Sequence, residues 1–352
     1  MMKIFKAFKT KAAALAVCVL LSGLLAGCED KNKELVLMAA DDHPLDYPTT
    51  QGLVFMDKYL KEKTDGRVSL DIFPNKTLGD EKSTIEQTQL GIIDINRVNV
   101  NPLVQICPEL GVLALPYIFR NTEHMHAVLD GEIGEELLIS LKDKNLIGLC
   151  YYDSGARSFY NTERPIKKPE DLAGLKIRVQ KSEIMIDMVR ALGGSPTPMA
   201  FGEVYSSLQT GVIQGAENNW PSYDYTGHYL VADYYSLDQH SMAPEMVIMS
   251  RRTWEDLSEA DRKLIKQAAL ASVSHQRKLW RGLAKKAEEK IRAHGNKINK
   301  IPDKSAFIKA MDPVYEEHVQ NRRMKDLVKR IRALKTGPES KEPKADSGSQ
   351  SK

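Results

Sequence analysis

Three short apolar runs near the start of the chain are separated by two stretches of helical period. The runs are "ELVLMAA" (34–40), "VSLDIFP" (68–74) and "IIDINRVNV" (92–100). The first helical stretch runs from about Thr49 to Lys63, with Leu53, Met56, Tyr59 and Leu60 on one face. The second is "TLGDEKSTIEQTQLG", with a capping residue in its loop. A strand that returns to its own sheet through a helix lies parallel to the strand it left. The β-α-β-α-β order therefore predicts an α/β fold with a parallel sheet covered by helices.

The pattern continues through "IGLCYYD" (147–153) and "KIRVQ" (176–180). "SEIMIDMVRALGG" reads as a helix ended by a left-handed glycine, and "EVYSSLQTGVIQGAENN" as a helix, a turn and a short strand. From Thr253 to about His294 no proline interrupts a helical pattern, which predicts one element spanning two domains. A chain of 352 residues suits two domains, and its 42% hydrophobic residues suffice for a core. The closing "KTGPESKEPKADSGSQSK" has the composition of a disordered tail.

Net charge is +3, with basic residues dispersed along the chain, which argues against nucleic-acid binding. Lys3, Lys6, Lys9 and Lys11 precede an apolar run from Ala12 to Ala26 that is too short to span a bilayer comfortably. The run ends in "LAGC", which is similar to a bacterial lipobox, with Cys28 as the lipidated residue. Cys107 and Cys150 remain in the mature chain, and a disulfide between them stays open beside two buried thiols.

No metalloprotease, nucleophile-elbow, Walker or dinucleotide motif is present, and no cysteine pairs have zinc spacing. Asp41 and Asp42 read as part of a solvated loop, because adjacent side chains diverge. The polar groups at strand ends are more informative, since open α/β sheets bind ligands beyond the carboxyl ends of their strands. His43 follows the first strand, Glu81 opens the second helix, and Arg97 closes the third strand. Arg157 sits in "DSGARSFYN", and Asn218 and Asn219 follow "GVIQGAE". Arg178 alternates with Ile177 and Val179, which places it on the second face of its strand. Two arginines with amides nearby suit a planar anion such as a carboxylate.

Each has a plainer alternative. His43 would cap a loop, Glu81 would be a first-turn helix acid, Arg97 and Arg157 would form surface ion pairs, and Tyr223 would be a core or rim aromatic. Lys176 and Gln180 share the face of Arg178 and are not candidates.

"DLAGLKIRVQ", "GGSPTPMAFGEVYSSLQTGVIQGAENN" and "WEDLSEADRKLIKQAA" resemble the solute-binding proteins of tripartite ATP-independent periplasmic (TRAP) transporters, over about Leu35 to Leu334. The resemblance implies a periplasmic-binding-protein-like fold of two α/β lobes, with a ligand cleft between them and a long connecting helix. Divided this way, residues 1–27 are a lipoprotein signal peptide and 28–33 a tether. Lobe I takes 34–154 and about 244–283, lobe II takes 155–243 and about 284–335, and 336–352 form the tail. The resemblance also implies that Arg178 makes the main salt bridge to a substrate carboxylate, with Arg157 and Asn218 beside it.

"DDHP", "LGDEK", "INRVN", "GARSFYN" and "AENNWPSYDY" are most similar to the subgroup that binds glucuronate and galacturonate. His43, Glu81, Arg97, Asn218 and Asn219 would then serve the sugar hydroxyls, Tyr223 is a further substrate-binding candidate, and Tyr160 and Asn161 are lesser contributors. Other organic acids (sialic acid, 2-oxo acids, dicarboxylates) and a ligand-sensing lipoprotein are the alternatives. The expected partners are a small organic acid, a TRAP permease and, through Cys28, a membrane. No catalysis, cofactor or metal is expected.

Overall fold

The computed structural model describes residues 34–336. The signal peptide, Cys28, the tether and residues 337–352 of the tail lie outside the described residues. Strands β1 (Leu35–Asp41), β2 (Val68–Phe73) and β3 (Ile95–Asn99) pair in parallel, with β1 in the middle. Helix α1 (Pro48–Thr64) buries Leu53, Met56 and Leu60, the predicted stripe, while Tyr59 packs at its edge. Helix α2 (Glu81–Leu90) starts where the Asp80 side chain accepts from Ser83 N at 2.9 Å, satisfying a donor that the first helical turn leaves free.

The first sheet is mixed, which corrects the expectation of a parallel one. Its order is β2-β1-β3-β10-β4, and β10 (Glu245–Ser250) runs antiparallel between β3 and β4 (Leu146–Tyr152). Every residue of β10 is buried, as a central strand covered on both faces requires. The second sheet has the order β11-β9-β5-β8-β6-β7. Its strands are β5 (Arg157–Asn161), β6 (Lys176–Val179), β7 (Ser195–Pro198), β8 (Gly215–Asn218), β9 (Tyr234–Ser241) and β11 (Lys297–Lys300).

The chain crosses between the sheets twice at one place, from β4 to β5 and back from β9 to β10. The two crossings are tied where Ser154 Oγ donates to Ala243 O at 2.6 Å. Helix α3 (Glu259–His294) lies alongside, 36 residues and roughly 54 Å long at 1.5 Å per residue. Its Gln276 grips the first crossing by both amide atoms: Asp153 N donates to Oε1 at 2.9 Å, and Nε2 donates to Asp153 O at 2.8 Å. One end of α3 packs on α1 in lobe I and the other on the helix Trp220–Tyr225 in lobe II.

The predicted run from Thr253 is not one helix. A separate helix, Arg251–Asp256, ends at Leu257, and Ser258 caps α3 by accepting from Asp261 N at 3.1 Å. The final helix, α4 (Arg322–Ala333), also departs from the expected division. It lays Met324, Leu327, Val328 and Ile331 on lobe I helices and pairs Arg330 with Glu136 at 2.7 Å. An amphipathic stripe settles where an apolar face is free, and sequence order does not say where that is. Behind the cleft one apolar cluster joins the lobes, from Val98 and Leu113 to Ile177, Ile184 and Leu327. Cys107 and Cys150 are both free and buried, and burial pushes the Cys150 thiol up to about 12.

Candidate ligand-binding site

The carboxyl ends of β1 and β3 and the start of α2 face the strand ends of lobe II around a cavity of about 410 Å³. Lobe I brings Asp42, His43, Glu81 and Asn99; lobe II brings Arg157, Arg178, Asn218 and Asn219; Trp280, midway along α3, joins them. The lobes touch across the mouth. Tyr47 Oη and Ser222 Oγ are 3.0 Å apart, Tyr225 Oη donates to Asp46 Oδ1 at 2.5 Å, and Lys181 pairs with Asp80 at 3.1 Å.

Arg178 has the least compensated charge of the three buried arginines. It is 3% exposed, and its Nε and Nη2 both donate to Met199 O, at 3.1 and 2.9 Å. Nη1 has no hydrogen-bond partner among the described residues, and no carboxylate lies within ion-pair distance. Burial pulls its pKa below the ordinary arginine value. A guanidinium taken out of water without a counter-charge is costly, and an anion in the cavity would remove that cost.

Arg157, in contrast, is already paired. Its Nε and Nη2 fork onto the Glu217 carboxylate at 2.5 and 2.9 Å, and Nη1 donates to Asn218 Oδ1 at 2.8 Å. Against the opposing effect of burial, Arg157 and His240 hold Glu217 down at about 2. His240 is likewise pushed up to about 9 by Asp238 and Glu217 despite its burial. Arg157 thus lines the cavity as a braced wall, and it orients Asn218 at the end of β8.

Arg97 and Asp41 lie behind the cavity, while Asp42, also expected in solvent, reaches its lining. Asp41 is 2% exposed, and the Arg97 guanidinium bonds Asp41 and Asp42 through Nη2 and Glu245 through Nη1 at 2.6 Å. The acids are buried because the guanidinium sits beneath the loop and supplies their counter-charge. Asp41, Asp42 and His43 converge closely enough to hold a metal, but Arg97 Nη2 reaches all three and provides the positive charge there. His43 stacks on Tyr47 with ring centroids 4.2 Å apart, and Asp42, against the effect of burial, raises it to about 9. The imidazolium therefore presents Nε2, which has no partner among the described residues, as a donor.

Glu81 sits between these groups, its side chain 15% exposed. Its Oε1 accepts from Asn99 N at 2.7 Å and from Arg97 Nη1 at 3.3 Å. Burial raises its pKa to about 8, with the Asp42 and Glu245 charges adding to that effect and Arg97 opposing it. Near neutrality the carboxyl is mostly protonated and donates a proton instead of repelling an acid. A raised pKa adds stability below the ordinary carboxylate range that is lost as pH rises through about 8. Affinity for an anionic ligand is accordingly expected to fall severalfold between pH 7 and 9 as Glu81 ionises. Glu81→Gln should flatten that slope in calorimetric titrations, and an unchanged slope would rule Glu81 out as its cause.

The sequence pattern of the DctP family, described as bacterial extracellular solute-binding protein, family 7, matches residues 39–322. The chain belongs to this family. A solute-binding protein of Chromohalobacter salexigens is 46% identical over 278 residues, covering 79% of this chain and 83% of the relative. The TRAP periplasmic solute-binding protein of Xanthobacter autotrophicus, solved with bound β-D-galacturonate, superimposes with a TM-score of 0.83 at 44% identity and covers 85% of this chain and all of its own. A TRAP solute-binding protein of Chromohalobacter salexigens, solved with bound D-glucuronate, gives 0.82 at 44% identity over 84% of this chain and 99% of its own. Proteins of this kind bind substrates for TRAP membrane permeases. No helix among the described residues is long and apolar enough to cross a membrane.

Within this solute-binding fold the residues expected at the site divide into two groups. Arg178, Arg157, Asn218, Asn219, His43 and Glu81 line the cavity. Arg97 stands behind it, as described, and Tyr223 belongs to the lobe II core. The Tyr223 hydroxyl donates to Ala232 O and accepts from Asn296 Nδ2 at 2.9 Å, which consumes its polar end. Tyr160 and Asn161 are also turned away, Tyr160 toward His228 at 2.7 Å and Asn161 toward Arg164 O at 2.8 Å. Sequence reasoning missed Asp42, Tyr47, Gln180, Phe201, Glu245 and Trp280 as lining residues. Trp280 carries no local signal, being one large residue in a long helix. Glu217 stood beside Asn218 in the quoted motif, and only its pairing with Arg157 gives it a role.

Proposed function

We propose that this protein captures a hexuronate, D-glucuronate or D-galacturonate, outside the cytoplasmic membrane and delivers it unaltered to a TRAP permease. The observation that carries this reading is Arg178: a buried guanidinium in a closed cavity, aimed at no acidic side chain. Its planar fork suits one carboxylate. Around it stand the donors and acceptors that ring hydroxyls need, from Glu81, His43, Asn99 and Asn218. The uronates held by the two solved relatives support the same ligand class.

Both lobes contribute to the cavity, so a ligand that touches both favours their closure. The "LAGC" sequence supports anchoring through a lipid on Cys28. Calorimetric titration with glucuronate, galacturonate, succinate and sialic acid tests the ligand class. Tight binding of either uronate with at least hundredfold weaker binding of the other acids is the expected result. Preference for succinate or sialic acid would overturn it.

A further inference from the structure

The cavity around Arg178 shares Asp42, Glu81, Arg178, Gln180 and Phe201 with a second chamber of about 430 Å³. The two spaces are similar in size, and Phe201 stands between them. The second chamber has its own cation. Lys76 is half-buried, and no carboxylate lies within ion-pair distance of it among the described residues. Its Nζ is 5.3 Å from the centroid of the Phe201 ring, and Arg178 Cζ is 6.0 Å from the same centroid.

The backbone is built to place that lysine. Asn75 and Lys76 both adopt φ of 58°, a left-handed conformation unfavourable for side-chain-bearing residues. The turn is held by Asn75 N donating to His43 O at 2.8 Å, which fixes it against the β1 end of the main cavity. A Cβ on Gly202 would come within 2.7 Å of Lys76 Nζ, so the ammonium lies close against the Gly202 backbone. Lys82 stands on the same chamber wall, as do Lys181 and Asp80, which pair with each other at 3.1 Å and leave Lys76 as the lysine facing the space beside Phe201. An unpaired ammonium attracts an acid, and the lining shared with the first cavity places that acid next to the ligand there.

We propose that this chamber is a second subsite, and that the cleft accepts a disaccharide of two uronic-acid rings, one carboxylate on Arg178 and the other beside Lys76. This rests on the uronate reading above. The class of reaction that supplies such a ligand is cleavage of an acidic polysaccharide into dimers.

The test is calorimetry of the full-length protein and of Lys76→Met with D-galacturonate and digalacturonic acid. In the wild type the dimer is expected to bind within tenfold of the monomer. Lys76→Met is expected to lower the dimer-to-monomer affinity ratio at least fivefold. Binding of the monomer without the dimer overturns the subsite and leaves the uronate reading standing, as does an unchanged ratio in the variant. Failure of both sugars to bind overturns the subsite, and failure of D-glucuronate in the same titration overturns the uronate reading as well.

Discussion

Arg178→Ala is expected to abolish tight uronate binding while leaving the ligand-free protein as stable as before, or more so. Truncating one partner of a buried charged pair costs about 2–5 kcal/mol, which is roughly thirtyfold to several-thousandfold in affinity. In the free protein the guanidinium has no acidic partner, so removing it relieves a desolvation cost. Arg178→Lys keeps the charge and loses the fork, and at least tenfold weaker binding is expected. The pair of readouts is calorimetry for affinity and thermal unfolding for stability. Near-wild-type binding by the alanine variant would mean that the carboxylate sits elsewhere.

Arg97→Met should have the opposite signature, a large loss of stability. Removing this guanidinium leaves Asp41, Asp42 and Glu245 with only the His43 imidazolium against their buried charge. Breaking a buried ion cluster in this way costs about 3–5 kcal/mol. At about 2–4 °C per kcal/mol, the melting temperature falls by roughly 6–20 °C. The sign of the pH dependence gives a second check. In the wild type the Asp41 and Asp42 pKa values are lowered, so their stabilisation exists above the ordinary carboxylate range and is lost as pH falls. Without Arg97 the same carboxyls lose part of that lowering, so protonating them costs the variant less. The gap between variant and wild type therefore narrows from pH 7 to pH 4. A melting point within 2 °C of wild type at pH 7 would show that water or local rearrangement replaces the guanidinium.

The two arginines illustrate what could be read in advance. Both were legible as cationic residues at strand ends, and only their surroundings separate them. Arg97 meets Asp41 and Asp42 across 56 and 55 residues and Glu245 across 148. Arg178 has no acid within ion-pair distance. The same gap explains the error at Asp41 and Asp42, which are a loop pair by local sequence and a buried ionic cluster in the fold. Glu81 was legible as a first-turn carboxylate in a cleft. Its pKa near 8 was not, because burial and the charges of Asp42 and Glu245 set it.

By itself the sequence determined the elements whose signal is local: β1, α1, β2, α2 and β3, the strand bearing Arg178 and the glycine-stopped helix after it. Side-chain period and capping chemistry act within a few residues, so they survive without a partner in view. Tertiary structure alone decided that β10 enters the first sheet antiparallel, that α4 returns to lobe I, and that Trp280 reaches the cavity. It also decided which arginine is left for a ligand. These depend on packing and on electric fields between residues far apart in the chain, and neither leaves a trace in local period.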